Sequence, residues 1–335
     1  MLISDGHLDL AYNALRGRDV LAAALQQMTD EEGIPTVGLP DLRRGDVGLI
    51  CATIFCEPAG EGKGGYATVE QAAIAGKNQL EWYLRQRDAR VFTLVEKPSD
   101  VPSQPAGDSA LPIVLLLEGA DPIREPGEVG WWFKRGLRAV GLAWKRTRYA
   151  GGTRAPGPLT AEGVELAKVL DAAGIVHDLS HLAEESFWQL LDLVGGAVMA
   201  SHSNCRAIVP TDRQLSDAMI RAVAARRGVI GINFYDKFLL SPDQYGKRRA
   251  NLADVVRHAR HICDLAGTSG AVAIGTDMDG GLGREQIPRE IVTSADLPKL
   301  ADALSAGGFS DEDVRLIMGE NWAAFWRRSL PTAAA

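Results

Sequence analysis

Gly-Ile-Val-His-Asp-Leu-Ser-His at residues 174–181 and Ala-Ser-His-Ser at residues 200–203 form the stretch that decides the fold, together with the polar loop that follows as far as Arg213. Each is a short apolar run that finishes on a histidine, His181 or His202, and the residues between them have the spacing of one helix. This pattern predicts two parallel strands with an imidazole at each carboxyl end, which is where parallel α/β proteins build their sites. One histidine at such a place is more often a packed residue than a metal ligand. Whether these histidines bind metal therefore depends on which residues end the other strands.

Apolar runs that suit buried strands begin near residues 2, 47, 112, 137, 175, 197, 229 and 271, with a small extra strand near residue 91. A helical pattern or a crossover follows each of the eight. One such helix, over 161–173, has Thr160 as its predicted N-cap and Gly174 as its predicted C-cap. Eight β-then-α units favour an α/β protein of the closed (β/α)8 TIM-barrel type, with residues 1–335 forming a single domain. An open doubly wound sheet is the alternative, but no glycine-rich dinucleotide fingerprint follows any strand.

The charge and the amino-acid composition of the chain restrict the kinds of molecule that we expect it to bind. The chain has 335 residues, 24% of them charged, with a net charge of -7 and a pI near 5.5, so it lacks the basic surface that nucleic acids or anionic membranes attract. Its four cysteines form no CxxC pair, which favours reduced thiols. A polar motif already occurs at residue 7, which leaves no room for a signal peptide, and no apolar run approaches about 18 residues. We therefore expect a cytoplasmic protein without nucleic-acid or membrane partners.

Side chains that can bind metal follow the predicted strands at matching ends. These are His7 and Asp9 after strand 1, Glu118 after strand 3, His181 after strand 5, His202 after strand 6 and Asp277 after strand 8. Three imidazoles with two or three carboxylates can hold two divalent cations, and Glu118 can bridge them because a carboxylate has two oxygens. Nitrogen and oxygen donors of this kind favour zinc. The barrel prediction therefore implies a binuclear metal site at the C-terminal ends of its strands.

Such a site would catalyse hydrolysis. Two metals lower the pKa of a bridging water, so that hydroxide forms near neutral pH, and they polarise the carbonyl of a substrate. Asp277 suits a general base that takes the proton of the water and delivers it to the leaving nitrogen.

The motifs resemble those of the renal (membrane) dipeptidase family within the metal-dependent amidohydrolases. The matching stretches lie between residues 2 and about 281: Asp-Gly-His-Leu-Asp-Leu at 5–10, Leu-Glu-Gly at 117–119, Asp-Leu-Ser-His at 178–181, Ser-His-Ser at 201–203, Gly-Val-Ile-Gly-Ile-Asn-Phe-Tyr at 228–235 and Gly-Thr-Asp-Met-Asp-Gly at 275–280.

The resemblance implies two zinc ions per chain, bridged by Glu118 and a water or hydroxide. It assigns His7 and Asp9 to one ion, and His181 and His202 to the other. It also implies that Asp277 transfers the proton, and that Asp279 is structural.

Three further residues are candidates for binding substrate. The resemblance places Arg213 where the family binds the free carboxylate of a dipeptide, a task that suits a guanidinium fork. Tyr235 ends a matching stretch. Trp144 is a departure, because the family usually has Leu-Thr-His at the end of strand 4 where this chain has Leu-Ala-Trp. An indole donates one hydrogen bond but cannot act as an acid or base, so Trp144 donates from a similar place, His177 or Arg148 substitutes, or the substrate differs. The alternation of the strand places His177 in the barrel core, on the same side as His181.

The sequence thus predicts a zinc-dependent dipeptidase that acts through a metal-bridged hydroxide, with tolerance of a D-residue at the carboxyl side left open. Two alternatives stand beside it. Hydrolysis of another small carboxylate-bearing amide is favoured if Trp144 has reshaped the pocket, and a non-peptidase metal-binding protein of the same fold is the other. Members of the family are often dimers, so a homodimer is a candidate assembly.

Overall fold

A computed structural model of the chain describes residues 1–60 and 65–332. Eight strands form the barrel, and we number them in chain order: β1 Ile3–Leu8, β2 Val47–Phe55, β3 Leu111–Glu118, β4 Leu137–Gly141, β5 Val176–Asp178, β6 Val198–Met199, β7 Ile230–Ile232 and β8 Val272–Ile274. Their residues are buried almost throughout, which explains why β2 and β3 are continuous apolar runs without polar alternation.

The strands pair in parallel in the order β7, β8, β1, β2, β3, β4, β5, β6. A parallel bridge between Ala200, just after β6, and Ile230 of β7 brings the two ends of the sheet together. The prediction of a (β/α)8 barrel is therefore confirmed. The extra strand Phe92–Leu94 pairs with the beginning of β3, at Leu111 to Ile113.

Helices surround the barrel. Those of four or more residues are Leu10–Leu15, Leu39–Arg44, Val69–Asp88, Val129–Phe133, Ala161–Ala172, Glu184–Leu193, Asp217–Ala225, Asp236–Leu239, Leu252–Ala266, Lys299–Ala306, Asp311–Arg315, the π-helical Leu316–Glu320 and Asn321–Ser329. Thr160 caps its helix as predicted, since its hydroxyl accepts from the amide of Gly163. Gly174 follows the helix with a φ of 69°, a left-handed conformation that glycine adopts without strain. None of the helices in the described residues is long and apolar enough to cross a membrane.

The C-terminal helix closes the amino end of the barrel. Trp322 and Trp326 pack against inward-facing side chains such as Leu49 and Val114. Trp322 also donates its indole N–H to the carbonyl of Ile274, so its one polar atom is satisfied on burial. The opposite, carboxyl end of the barrel is left for the site.

The glycine-rich stretch at 149–157 contains an antiparallel pair of strands, Ala150–Gly152 and Ala155–Leu159.

The structure corrects the prediction for His177. His177 does not point into the barrel. Val176 packs in the barrel interior instead, and His177 lies on the outer face with its Nε2 3.4 Å from Oδ1 of Asp171. The prediction was wrong because β5 ends at Asp178, so strand alternation cannot be counted through to His181.

Candidate metal centre

The six residues predicted from the strand ends meet at the carboxyl mouth of the barrel. Potential ligand atoms lie within 4.8 Å of one another in each of three groups: His7, Asp9 and Glu118; Glu118, His181 and His202; and His7, His202 and Asp277. Glu118 and His7 each belong to two of these groups, so the three form one continuous cluster. The barrel brings together side chains that are as far as 270 positions apart in the chain because parallel strands all end at this rim.

Glu118 lies between two histidines on one side of the cluster. Its Oε1 is 3.1 Å from Nε2 of His181 and 3.3 Å from Nε2 of His202. The two Nε2 atoms are themselves 3.0 Å apart. Two imidazole nitrogens and a carboxylate oxygen that converge in this way form a donor set suited to one divalent cation.

His7 provides the second half of the cluster. Its Nε2 lies 3.6 Å from Oε2 of Glu118 and 3.9 Å from carboxylate oxygens of both Asp9 and Asp277. This Nε2 is buried and has no hydrogen-bond partner among the described residues. A buried imidazole nitrogen without a partner is costly, and a cation held with Asp9 and Glu118 would satisfy it. The residues therefore fit divalent cations, and the two oxygens of Glu118 face the two halves of the cluster.

The pKa shifts of Asp277, Asp9 and His7 also indicate that the cluster lacks positive charge to balance its carboxylates. Burial raises the pKa of Asp277 to about 8, and Asp9 and Glu118 contribute in the same direction. Burial likewise raises the pKa of Asp9 to about 6. For His7, burial alone would lower the pKa, but the carboxylates of Glu118, Asp9 and Asp277 outweigh it and raise the pKa to about 10. Bound cations would compensate the crowded carboxylates.

Burial acts differently on His181 and His202. It lowers the pKa of His181 to about 4, and the charge of Arg213 adds to the effect. Burial also lowers the pKa of His202 well below its ordinary value. Both imidazoles are therefore neutral near pH 7, the form in which histidine binds metal.

The backbone is strained at two of these residues. His181 has a φ of 67° and Asp277 a φ of 59°, in the left-handed region that non-glycine residues seldom adopt. Gly280 makes the turn after Asp277 feasible, because a Cβ there would lie 2.1 Å from an Asp277 carboxylate oxygen. Strained backbone of this kind concentrates at functional sites.

The cluster lies at the floor of a cavity of about 660 Å³. The three predicted substrate-binding residues, Arg213, Trp144 and Tyr235, all line this cavity. Arg213 is buried and donates to Oγ of Ser203 at 3.0 Å and to the carbonyl of His202 at 2.6 Å. Its Nε is buried without a partner among the described residues. The protein thus holds the two terminal nitrogens of the guanidinium and leaves its Nε–H unsatisfied.

Trp144 and Tyr235 form parts of the cavity wall. The indole packs edge to face on Phe55, with ring centroids 5.1 Å apart, and its centroid is 6.3 Å from that of His181. Strand β4 ends at Gly141, so Trp144 belongs to the following loop, where the neighbouring Lys145 lies over the indole ring. The hydroxyl of Tyr235 accepts from Gln286 at 3.3 Å.

The site also includes residues that the sequence did not predict. Asn233 donates to Oδ2 of Asp277 at 2.8 Å and so fixes this carboxylate. A polar residue directly after the apolar run of β7 was the signal for it. Glu31, Glu32 and Glu57 line one side of the cavity, and no motif marks them in the sequence. Asp279 lies outside the metal-binding groups, and accepts hydrogen bonds from Thr36 and Val37.

Comparisons with known proteins agree on one family. The model of the membrane dipeptidase family, peptidase family M19, matches residues 1–333. An uncharacterized protein from the pqqA 5' region of Klebsiella pneumoniae is 30% identical over 227 residues, which cover 64% of this chain and 81% of the relative. An uncharacterized dipeptidase of Schizosaccharomyces pombe is 27% identical over 175 residues, 51% of this chain, and the match spans only 40% of that relative.

Solved structures extend the likeness to the whole chain. A crystal structure of the dipeptidase AC, a metallopeptidase of family M19, superposes with a TM-score of 0.85 at 26% identity and covers 99% of both chains. A metallopeptidase from Rhodobacter sphaeroides, liganded with a phosphinate mimic of the dipeptide L-Ala-D-Ala, superposes with a TM-score of 0.83 at 25% identity, covering 98% of this chain and 99% of the other.

Proposed function

Because the chain belongs to the membrane dipeptidase family, peptidase family M19, and is therefore a metal-dependent hydrolase, we propose that it hydrolyses dipeptides at a binuclear zinc centre as a cytoplasmic enzyme. The observation that carries the proposal is the convergence of six side chains that can bind metal or move a proton, with a partly unsatisfied arginine, around one cavity. The volume of about 660 Å³ suits a small substrate.

Zinc fits the imidazole and carboxylate donors of the cluster. His7 and Asp9 would hold one ion, His181 and His202 the other, and Glu118 both. When bound, the two ions would lower the pKa of a shared water, so that it attacks as hydroxide, and polarise the scissile carbonyl.

The charges around the cavity would orient a dipeptide. Arg154, Lys145 and Arg213 lie on the side of His181 and His202. Glu57 lies on the side of Asp9 and Tyr12, together with Glu31 and Glu32, which share the single positive charge of Arg16. A dipeptide is a zwitterion, so its carboxylate would bind at Arg213 and its ammonium group would face the glutamates. The L-Ala-D-Ala mimic bound by the Rhodobacter sphaeroides relative supports a substrate with a D-residue at the carboxyl side.

Asp277 would move the proton. Its carboxylate lies at the junction of both halves of the cluster, and Asn233 holds one oxygen, leaving the other, 3.9 Å from Nε2 of His7, free to accept. From there it can take the proton of the attacking water and return it to the leaving amine.

Trp144 favours a second candidate function, the hydrolysis of another small amide that carries a carboxylate. The indole occupies the wall beside His181 and cannot replace a histidine as an acid or base. A panel of L-L and L-D dipeptides, assayed on the wild type, Trp144→His and the aromatic control Trp144→Phe, distinguishes the two functions. Dipeptide turnover by the wild type supports the dipeptidase, whereas zinc binding with turnover only in Trp144→His would move the native substrate to the other class.

A further inference from the structure

We propose that two hydroxyl groups in contact with the cluster, those of Ser201 and Thr153, position its histidines by fixing the tautomer of each ring. Ser201 would serve both metals and Thr153 only one. The inference rests on the binuclear centre proposed above. Ser201 would serve His7 and His202, one histidine from each metal, while Thr153 would serve His181 alone.

The number of protons and lone pairs on the Ser201 hydroxyl determines the direction of each of its hydrogen bonds. Its hydroxyl donates to Oδ2 of Asp178 at 2.5 Å. The same oxygen lies 2.7 Å from Nδ1 of His202 and 3.3 Å from Nδ1 of His7. A hydroxyl has one proton and two lone pairs, so once the proton is directed at Asp178 the oxygen can only accept from both rings. Each ring then carries its proton on Nδ1, and each Nε2 keeps the lone pair that a metal requires.

Asp178 and three glycines hold Ser201 in this orientation. Oδ1 of Asp178 accepts from the backbone amides of Ser180 at 3.1 Å and Ser201 at 2.9 Å, which leaves Oδ2 for the hydroxyl. The carbonyl of Ser201 lies so close to its neighbours that a Cβ would be 1.9 Å from it at Gly275, 2.0 Å at Gly231 and 2.6 Å at Gly6. The absence of side chains at these glycines lets the end of β6 approach the barrel axis, where one hydroxyl reaches two imidazoles.

Thr153 makes the equivalent contact from a different part of the fold. It lies at the turn between strands Ala150–Gly152 and Ala155–Leu159, and its Oγ1 is 3.0 Å from Nδ1 of His181. The hydroxyl can donate its proton to the carbonyl of His181, 3.4 Å away, and in that orientation its oxygen accepts from Nδ1. The hairpin therefore fixes His181 and has no such contact with His7 or His202 among the described residues.

The asymmetry predicts how each hydroxyl affects metal binding. Loss of the Ser201 hydroxyl frees one ring on each metal to rotate or to carry its proton on Nε2, so both zinc ions should bind more weakly. Loss of the Thr153 hydroxyl affects one ring on one metal, so a single binding step should weaken. Outer partners of metal-bound histidines typically contribute about 10- to 100-fold to metal affinity.

The experiment titrates metal-free protein with Zn²⁺ in competition with a chromophoric chelator. Thr153→Val removes the hydroxyl at nearly constant volume, and Thr153→Ser is the matched control that keeps it. We expect Thr153→Val to weaken one of the two binding steps by about 10- to 100-fold and Thr153→Ser to bind as the wild type does. Ser201→Ala should weaken both steps. The inference is overturned if Thr153→Val binds both ions normally, if it weakens both steps equally, or if Ser201→Ala weakens only one.

Asp178→Asn gives a second test with the hydroxyl in place. The amide oxygen would remain on the two backbone N–H groups, so the amide nitrogen would face Ser201 and donate to it. The hydroxyl proton must then point at an imidazole, which drives that ring's proton onto Nε2. We expect weakened zinc binding in a variant whose near-ultraviolet circular dichroism matches the wild type, and normal binding would contradict the inference.

The wild type distinguishes a failure of this inference from a failure of the proposed function. A wild type that binds two zinc ions but no dipeptide would refute the proposed function and leave this inference standing. A wild type that binds no zinc would refute both.

Discussion

Replacing Arg213 should abolish the enzyme's ability to distinguish a free carboxylate from a neutral amide. The guanidinium already uses two N–H groups, on Ser203 and on the carbonyl of His202, and its buried Nε is unpaired. A hydrogen bond to a charged group contributes about 1.5–3 kcal/mol, and 1.4 kcal/mol corresponds to a factor of ten. The wild type should therefore favour L-Ala-D-Ala over its C-terminal amide by about 10- to 150-fold in kcat/KM. In Arg213→Met this ratio should approach one.

The assay is steady-state hydrolysis of both compounds by the wild type, Arg213→Met and the charge-preserving control Arg213→Lys. Lysine keeps the positive charge but lacks the planar fork, so it should retain part of the preference. Zinc content measured on each variant separates a loss of substrate binding from a disturbance of His202, whose carbonyl Arg213 holds. A preference for the free carboxylate that survives unchanged in Arg213→Met would refute the role of this residue.

Three other substitutions test separate parts of the structure. Asp277→Asn should keep both zinc ions but lower kcat for L-Ala-D-Ala by about 10²- to 10⁴-fold, since the amide cannot accept the proton; an unchanged kcat would contradict this role. Glu118→Gln should reduce the zinc content measured by atomic emission, because an amide offers one good ligand oxygen to two ions, and full occupancy would show that no bridge is needed. Asp171, beside His177 and the Gly196 amide, has its pKa lowered to about 2. The charged form of Asp171 therefore stabilises the protein fully above about pH 4, and this stabilisation is lost as the pH falls through 2. Asp171→Asn should lower the free energy of unfolding by about 1 kcal/mol at pH 7, as measured by urea denaturation, and the difference should disappear below about pH 2. A difference independent of pH would contradict the linkage.

The parts of the fold that the sequence predicts best are those decided by local burial. Strand β2 begins at the predicted Val47, and β3 begins at Leu111, one residue before the predicted start near 112. Both are long runs buried on both faces, so nearly every position is apolar, with Thr53 and Glu118 as the polar exceptions. By contrast, β5 to β8 contain only two or three residues each, although each begins one residue after its predicted start near 175, 197, 229 or 271. Their ends depend on turns into the site, such as the left-handed His181, which no local pattern marks.

At the site too, the residues that follow a local pattern could be predicted, and those placed by tertiary packing could not. The six metal-binding candidates could be found because each follows an apolar run and the barrel brings such positions together, and their roles as ligands remain predictions. Thr153 could not be found, because its contact with His181 depends on how a hairpin packs over the mouth. Glu32 lines the cavity for a similar reason, since it lies in a segment of irregular structure that only tertiary packing places near Asp9.

The central claim is that five side chains, His7, Asp9, Glu118, His181 and His202, hold two zinc ions that hydrolyse a dipeptide bond. The most direct test is to measure zinc content and L-Ala-D-Ala hydrolysis on one preparation before chelation, after chelation and after zinc is restored. We predict close to two zinc ions per chain, with activity that disappears and returns together with them. Protein that binds no zinc, or that carries two zinc ions and hydrolyses no dipeptide, would contradict the claim.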